Sequence, residues 1–135
     1  MKTLLNILWF VFGGLIMALG YFLVGVVLCV LILTIPFGVQ AFKMGRYTLW
    51  PYGRTVVAKE GSGTASTIVN VLWIVLAGVW LAIGHIVTGV ALCLTIVGIP
   101  FGIVHFKLSR LILAPFGNEV VTNDVAEARG AQKLL

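Results

Sequence analysis

The chain contains the same segment twice. Residues 6–57 recur at residues 70–121 with a constant offset of 64 and no gap, and 24 of the 52 paired positions are identical. The identical positions include Asn, Cys, Pro, Lys and Arg, so a shared apolar composition does not explain them. Because internal repetition of this kind dictates architecture, the sequence predicts two equivalent structural units.

Each unit is built around an apolar run that is too long for a small soluble domain. The runs cover residues 6–33 and 70–97. As straight helices they would be about 42 Å long, whereas the hydrocarbon core of a bilayer is about 30 Å thick. The chain is 61% hydrophobic and only 10% charged, and an ordinary soluble domain has about 25% charged residues. The sequence therefore predicts an integral membrane protein with one long, tilted transmembrane helix per repeat.

Two Pro–Gly motifs follow each apolar run. The IPFG motif predicts a break after the long helix, and the later WPYG or APFG motif predicts a turn. The residues concerned are Pro36, Gly38, Pro51 and Gly53 in the first repeat and Pro100, Gly102, Pro115 and Gly117 in the second.

The stretch between the two motifs carries paired cations. Lys43 and Arg46 are three residues apart and share one helical face, and Lys107 and Arg110 repeat this spacing. About 12 residues are too few to span a bilayer. We therefore expect a short amphipathic helix in the interface, with its cations on anionic lipid headgroups.

These patterns predict an all-α integral membrane protein with two tandem repeats. Each repeat would consist of a long tilted transmembrane helix, an IPFG break and a short interfacial helix. The predicted divisions are a first repeat at 1–57, a linker at 58–69, a second repeat at 70–121 and a polar C-terminal tail at 122–135.

The duplicated NxLW…IPFG…FKxxR…PFG pattern resembles the YccF-type inner-membrane component domain of bacteria, which commonly occurs in tandem. The resemblance covers residues 5–121, and the paired IPFG and PFG motifs are its most specific element. Ala114 departs from the pattern, because the first repeat has Trp50 at that position. The resemblance implies a multi-pass protein of the bacterial inner (cytoplasmic) membrane and implies no particular biochemical activity.

A stripe of small residues runs along each long helix. At 100° per residue the members of a stripe share one face, and small side chains let helix backbones approach closely. We predict that the stripes pack helices together and join subunits of a homo-oligomer, with a wetted path as the alternative. The members are Gly14, Ala18, Gly25, Cys29, Gly78, Ala82, Gly89 and Cys93.

Tyr21 and His85 occupy the same position in the two repeats and lie near the middle of the apolar runs. An ionisable residue at this depth is a functional candidate. The sequence leaves open whether they line a pore, with His85 handling protons, or form a hydrogen-bonded seam that could include Thr88. We expect His105 at headgroup level and the tryptophans Trp9 and Trp73 at the membrane–water boundary.

The same residues argue against several function classes. No carboxylate occurs in the apolar runs, and the sequence has no nucleophile–base pairing, phosphate loop or cluster with metal-ligand spacing. We therefore expect neither enzyme activity nor a bound metal or cofactor. The few cations (net charge +5) suit lipid headgroups better than nucleic acid.

Two topologies compete. If each repeat crosses once, four cations between the repeats oppose five elsewhere, so the charge bias is almost nil. If each run bends at Gly20 or Gly84, all cations share one face, but the bend leaves backbone groups unsatisfied in lipid. We favour the single crossing. The predicted function is a non-enzymatic, self-associating membrane component, with an oligomeric ion channel as the alternative.

Overall fold

The computed structural model describes residues 1–59, 61 and 63–134. The described chain is mostly helical and contains one small sheet. Its elements, in chain order, are α1 (Lys2–Val30), α2 (Ile35–Leu49), β1 (Arg54–Ala58), α3 (Thr64–Cys93), α4 (Ile99–Ile112), β2 (Asn118–Thr122) and α5 (Asn123–Ala128).

Each repeat folds as a helical hairpin. The long helix ends near a short turn, after which the second helix packs back along it. Glycines allow the close approach: a Cβ on Gly38 of α2 would clash with Cys29 Sγ, and a Cβ on Gly102 of α4 would clash with Cys93 Sγ. The repeated IPFG motif thus matters for packing as well as for direction.

The position of the IPFG motif differs from the expectation. Pro36 and Pro100 lie in the first turns of α2 and α4, where the missing N–H of proline removes no helical hydrogen bond. The chain reverses just before the motif, at residues 31–34 and 94–98. The helices after the turns are also longer than the expected 12 residues, with 15 in α2 and 14 in α4. Each packs one face against its long helix and buries residues such as Ala41, Met44 and Leu108.

The all-α prediction was wrong in one respect, since β1 and β2 form a two-stranded antiparallel sheet. The register runs from Arg54 opposite Thr122 to Ala58 opposite Asn118. The two strands follow the second Pro–Gly turn of their repeats, where Gly53 (φ 93°) and Gly117 (φ 84°) adopt left-handed backbone conformations. An isolated five-residue strand has no partner within its own repeat, so the sheet requires both repeats.

The two long helices cross near their middles. Gly20 of α1 faces Leu81 of α3, and Gly84 of α3 faces Met17 of α1. Further along, Gly13 faces Thr88, so residue numbers fall on one helix as they rise on the other. The repeats are thus related by a pseudo-two-fold axis that passes between the long helices.

The sheet rules out the single-crossing topology. Residues 54–58 pair with residues 118–122, the Lys59 N–H donates to the carbonyl of Gly117, and the Leu134 N–H donates to the carbonyl of Val56. A bilayer about 30 Å thick cannot separate segments that are hydrogen bonded to each other. The alternative bends at Gly20 and Gly84 are absent too, because α1 and α3 continue through both glycines.

The charged residues gather around the sheet. Lys43 donates to the carbonyl of Asn118, Arg129 pairs with Glu119, and the Lys2 side chain lies beside Gly53. At the hairpin turns, by contrast, the side chains are apolar and exposed, with Leu33 at 92% and Ile96 at 88%. The described chain therefore has one charged pole and an apolar surface elsewhere.

Candidate functional site at the junction of the repeats

A buried hydrogen bond joins equivalent positions of the two repeats. Tyr21 lies on α1 and His85 lies on α3, and the Tyr21 hydroxyl is 2.7 Å from His85 Nε2. Both residues have no exposed surface. Because Gly20 and Gly84 have no side chains, the two helices can approach closely enough for this contact.

His105 extends the bond into a chain of three polar side chains. His105 lies on α4, and its Nδ1 is 2.9 Å from Nδ1 of His85. The Tyr21 hydroxyl can donate to His85, which then donates to His105, or the whole chain can run in the opposite sense, depending on the tautomers. Either direction satisfies both nitrogens of the His85 ring.

The environment of His105 was not expected from its place beside Lys107. The ring is fully buried and stacks on the indole of Trp9, with ring centroids 4.4 Å apart and an interplanar angle of 24°. His105 is therefore buried in the protein rather than solvated, and its depth in the membrane stays a prediction. The sequence signal that could have indicated this burial is that His105 occupies the position of Ala41 in the first repeat. A histidine that replaces a core alanine needs a polar partner.

The tryptophans are also buried inside the protein. Trp9 Nε1 donates to the carbonyl of Thr48 at 2.6 Å, and Trp73 Nε1 donates to the carbonyl of Ile112 at 2.7 Å. Both indoles have no exposed surface. These equivalent bonds satisfy carbonyl groups at the ends of α2 and α4 that the helices themselves leave free.

Asn6 and Asn70 fix the second turn of each repeat in the same way. The Asn6 amide nitrogen donates to the carbonyl of Tyr52 at 3.0 Å, and its oxygen accepts from the Tyr52 N–H at 2.9 Å. Asn70 makes the same two bonds to Phe116. Sequence reasoning identified these asparagines as repeat signatures but assigned them no contact.

The small-residue stripe lies within each hairpin. Gly25 packs against Phe42 of α2, and Gly89 packs against Phe106 of α4. Gly14 and Gly78 lie against the indoles of Trp9 and Trp73, while Ala18 and Ala82 are buried. Cys29 and Cys93 are free thiols beside Gly38 and Gly102. The stripes are thus occupied by the chain itself and are not free to join subunits.

Thr88 does not take part in the polar chain. Its hydroxyl donates to the carbonyl of Gly84 at 2.8 Å and lies 3.9 Å from the sulfur of Met17. Of the predicted headgroup cations, Arg46, Lys107 and Arg110 are exposed and Lys43 is half-buried. All four lie on the outer faces of α2 and α4, beside the sheet.

The arrangement is suited to holding the repeats together rather than to chemistry on a substrate. Within the part of the chain that the structure describes, no group of three His, Cys, Asp or Glu side chains could hold a metal ion. The Tyr21–His85–His105 chain lies in the interior, without an exposed atom on Tyr21 or His85 through which a substrate could reach it.

Comparison with known proteins agrees with the repeat pattern. The family model of the YccF inner membrane component domain matches twice, at residues 4–54 and 68–118. The chain is 37% identical over 137 residues to the inner membrane protein YccF of Escherichia coli (strain K12), covering 95% of this chain and 93% of that protein. The Shigella flexneri protein of the same name gives the same values. No solved structure matches significantly.

Proposed function

Because this chain belongs to the YccF inner membrane component domain family, we propose that it is a non-enzymatic integral component of the inner membrane that self-associates. The observation that carries the non-enzymatic part of this proposal is the buried Tyr21–His85 bond, which uses the central polar side chains to join the repeats. Catalysis and transport both require polar groups that reach a substrate or an ion.

We also propose that both hairpins enter the membrane from the same face. The cations and acids near the sheet form one charged pole, and the positive-inside rule directs such a pole to the cytoplasm. The hairpin turns suit hydrocarbon because their N–H groups bond locally: Ile35 to Ile32, and Gly98 to Thr95. The Thr34 hydroxyl donates to the carbonyl of Leu28, which reduces the cost of placing this backbone in lipid.

Cysteine accessibility tests this insertion. Single cysteines at Lys59, Gln132, Leu33 and Ile96, in a background without Cys29 and Cys93, would be treated with a membrane-impermeant maleimide. We expect positions 59 and 132 to label only when the reagent can reach the cytoplasmic face, as in permeabilised cells. Positions 33 and 96 should label only after denaturation. Periplasmic labelling at 33 or 96 would show that the hairpins cross. Labelling of positions 59 and 132 from opposite faces would show that the charged residues near the sheet do not lie on one side of the membrane.

Self-association requires a surface other than the stripes. Trp80 is a candidate centre, because 68% of this residue is exposed on α3 and tryptophan is enriched among energetically dominant contacts. Its repeat partner Ile16 is similarly exposed at 72% and provides a matched control. We expect Trp80→Ala to lower the particle mass in nanodiscs and Ile16→Ala to leave it unchanged. A monomeric parent protein at every protein-to-lipid ratio would refute self-association.

One observation favours a second candidate, an ion channel. Tyr21, His85 and His105 form a continuous hydrogen-bonded chain in an apolar interior, and such chains relay protons in membrane proteins. Purified protein in liposomes loaded with a pH-sensitive dye would report this activity. A channel predicts pH-dependent flux in the parent and loss of that dependence in His85→Phe. Absence of flux across several lipid compositions would eliminate this candidate.

A further inference from the structure

A cavity lies between the outer face of α2 and the sheet. Its volume is about 730 Å³, within the usual range for small-molecule sites. One wall is the face of α2 that carries Val39, Phe42, Lys43, Arg46 and Tyr47, and the other consists of Arg54 of β1 and residues 120–122 of β2. Both repeats therefore contribute to the cavity.

The cavity is strongly cationic. Lys43, Arg46 and Arg54 line it, and none of the described lining residues is acidic. Lys43 is tied to the carbonyl of Asn118 at 3.1 Å, which fixes its ammonium group beside β2. The nearest acid on that strand, Glu119, is paired with Arg129. An anion in this cavity would thus meet three positive charges with little local competition.

Two apolar side chains of the cavity, Val39 and Phe42, lie nearer the hairpin turn. Val39 precedes Lys43 by one helical turn on the same face of α2, and Phe42 extends that surface toward Gly25. A molecule that follows α2 would therefore place its polar end among the cations and its apolar end along Val39 and Phe42. An anionic phospholipid has this arrangement, with a negatively charged phosphate at one end and acyl chains next to it.

The equivalent surface of the second repeat has changed. Lys107 and Arg110 remain, but Asn118 replaces Arg54, and Leu134 of the C-terminal segment lies over the surface. The remaining cavity is about 310 Å³. The two helical cations are thus present in both repeats, while the third cation and the larger cavity belong to the first.

We propose that the first cavity binds one anionic phospholipid, with its phosphate held by Arg46, Arg54 and Lys43. The proposal rests on the membrane location given above only for the source of the ligand. If no lipid binds in the cavity, the cysteine-accessibility results are unaffected, so the lipid site and the proposed membrane insertion can be disproved separately.

The test is native mass spectrometry of the full chain in mild detergent with short-chain phosphatidylglycerol. The key variant is Arg46→Gln/Arg54→Gln, and its control is Lys107→Gln/Arg110→Gln, which removes the same charge from the other repeat. We expect one tightly retained phosphatidylglycerol per chain, about tenfold weaker retention in the key variant, and unchanged retention in the control. Phosphatidylcholine should not be retained.

Three results would overturn the proposal. Equal losses in both double variants would indicate general surface charge, and unchanged retention in the key variant would place the lipid elsewhere. Glycerol 3-phosphate binding as strongly as phosphatidylglycerol would indicate a site for a free phosphate. If the glutamine pair does not fold, as judged by circular dichroism, Arg46→Lys/Arg54→Lys keeps the charge but loses bidentate contacts. We expect that pair to weaken retention about threefold, and parent-like retention would count against the site.

Discussion

Gly13 and His105 lie against each other across the junction of the repeats, and each departs from its repeat partner. The second repeat has Ala77 at the position of Gly13, and the first has Ala41 at the position of His105. A Cβ on Gly13 would lie 3.1 Å from His105 Nε2 and 2.9 Å from the Thr88 methyl group. The absence of a Cβ at Gly13, where α1 is kinked and φ is 120°, therefore makes room for the imidazole.

Gly13→Ala should destabilise the protein, because alanine at this φ is strained and its Cβ meets the His105 ring. We expect a loss of about 1–3 kcal/mol in the free energy of unfolding, measured by denaturant titration in detergent micelles. Adding His105→Ala, which recreates the Ala–Ala pair of the other side, should remove the part of the loss that comes from contact with the ring, so the double variant should lose less than the sum of the two single changes. Ala77→Gly is the matched control and should cost only about 1 kcal/mol through helix propensity. Additive losses in the double variant would disprove the coupling.

Removing the Tyr21 hydroxyl should leave a buried His85 nitrogen without its partner. We expect Tyr21→Phe to cost about 1–3 kcal/mol, read from the same titration. Tyr21→Phe/His85→Phe should cost less than the sum of the two single changes, because the second change removes the orphaned nitrogen. Phe22→Leu, on the neighbouring position of α1, tests whether any aromatic change has the same effect. A strictly additive double variant would mean that the bond contributes no coupling energy.

The equivalent asparagines offer a direct test of the duplicated turn. Asn6→Ala and Asn70→Ala each remove two hydrogen bonds to the backbone of one residue, so each should cost about 1–3 kcal/mol. Because these turns lead into β1 and β2, hydrogen–deuterium exchange should accelerate in both strands for either variant. Exchange that increases only in the strand of the mutated repeat would contradict the requirement that the sheet forms as a pair.

The sequence predicted the features that depend on local patterns, and it failed where distant residues meet. The duplication, the long apolar helices and the family were confirmed, since periodic hydrophobicity and repeated motifs encode them. The pairing of β1 with β2 was missed because Val56 and Val120 are 64 residues apart and neither strand has a partner in its own repeat. Burial of Trp9 was missed because its partner, the Thr48 carbonyl, is a backbone group that every sequence has.

The same limitation explains the mistaken topology. Charge counting gave almost no bias for a single crossing and favoured one face for all the cations, but nothing in the sequence indicated that residues 54–58 pair with residues 118–122. The cost of unsatisfied backbone groups counts against a bend at Gly20, which lies in the middle of α1. The actual turns lie at residues 31–34 and 94–98, where local hydrogen bonds and the Thr34 and Thr95 hydroxyls occupy many of the backbone groups.

Enlarging Gly25 separates the two explanations of the small-residue stripe. A Cβ at this position would lie 3.0 Å from the Phe42 ring, so leucine cannot fit between α1 and α2. We expect Gly25→Leu to lower stability by about 3 kcal/mol or more, with faster hydrogen exchange in α2 and no specific change in particle mass. Val26→Leu, at the adjacent exposed position, should be nearly neutral. If Gly25→Leu instead kept the stability of the parent and reduced the particle mass, the stripe would be a contact between subunits, contrary to its position in the hairpin.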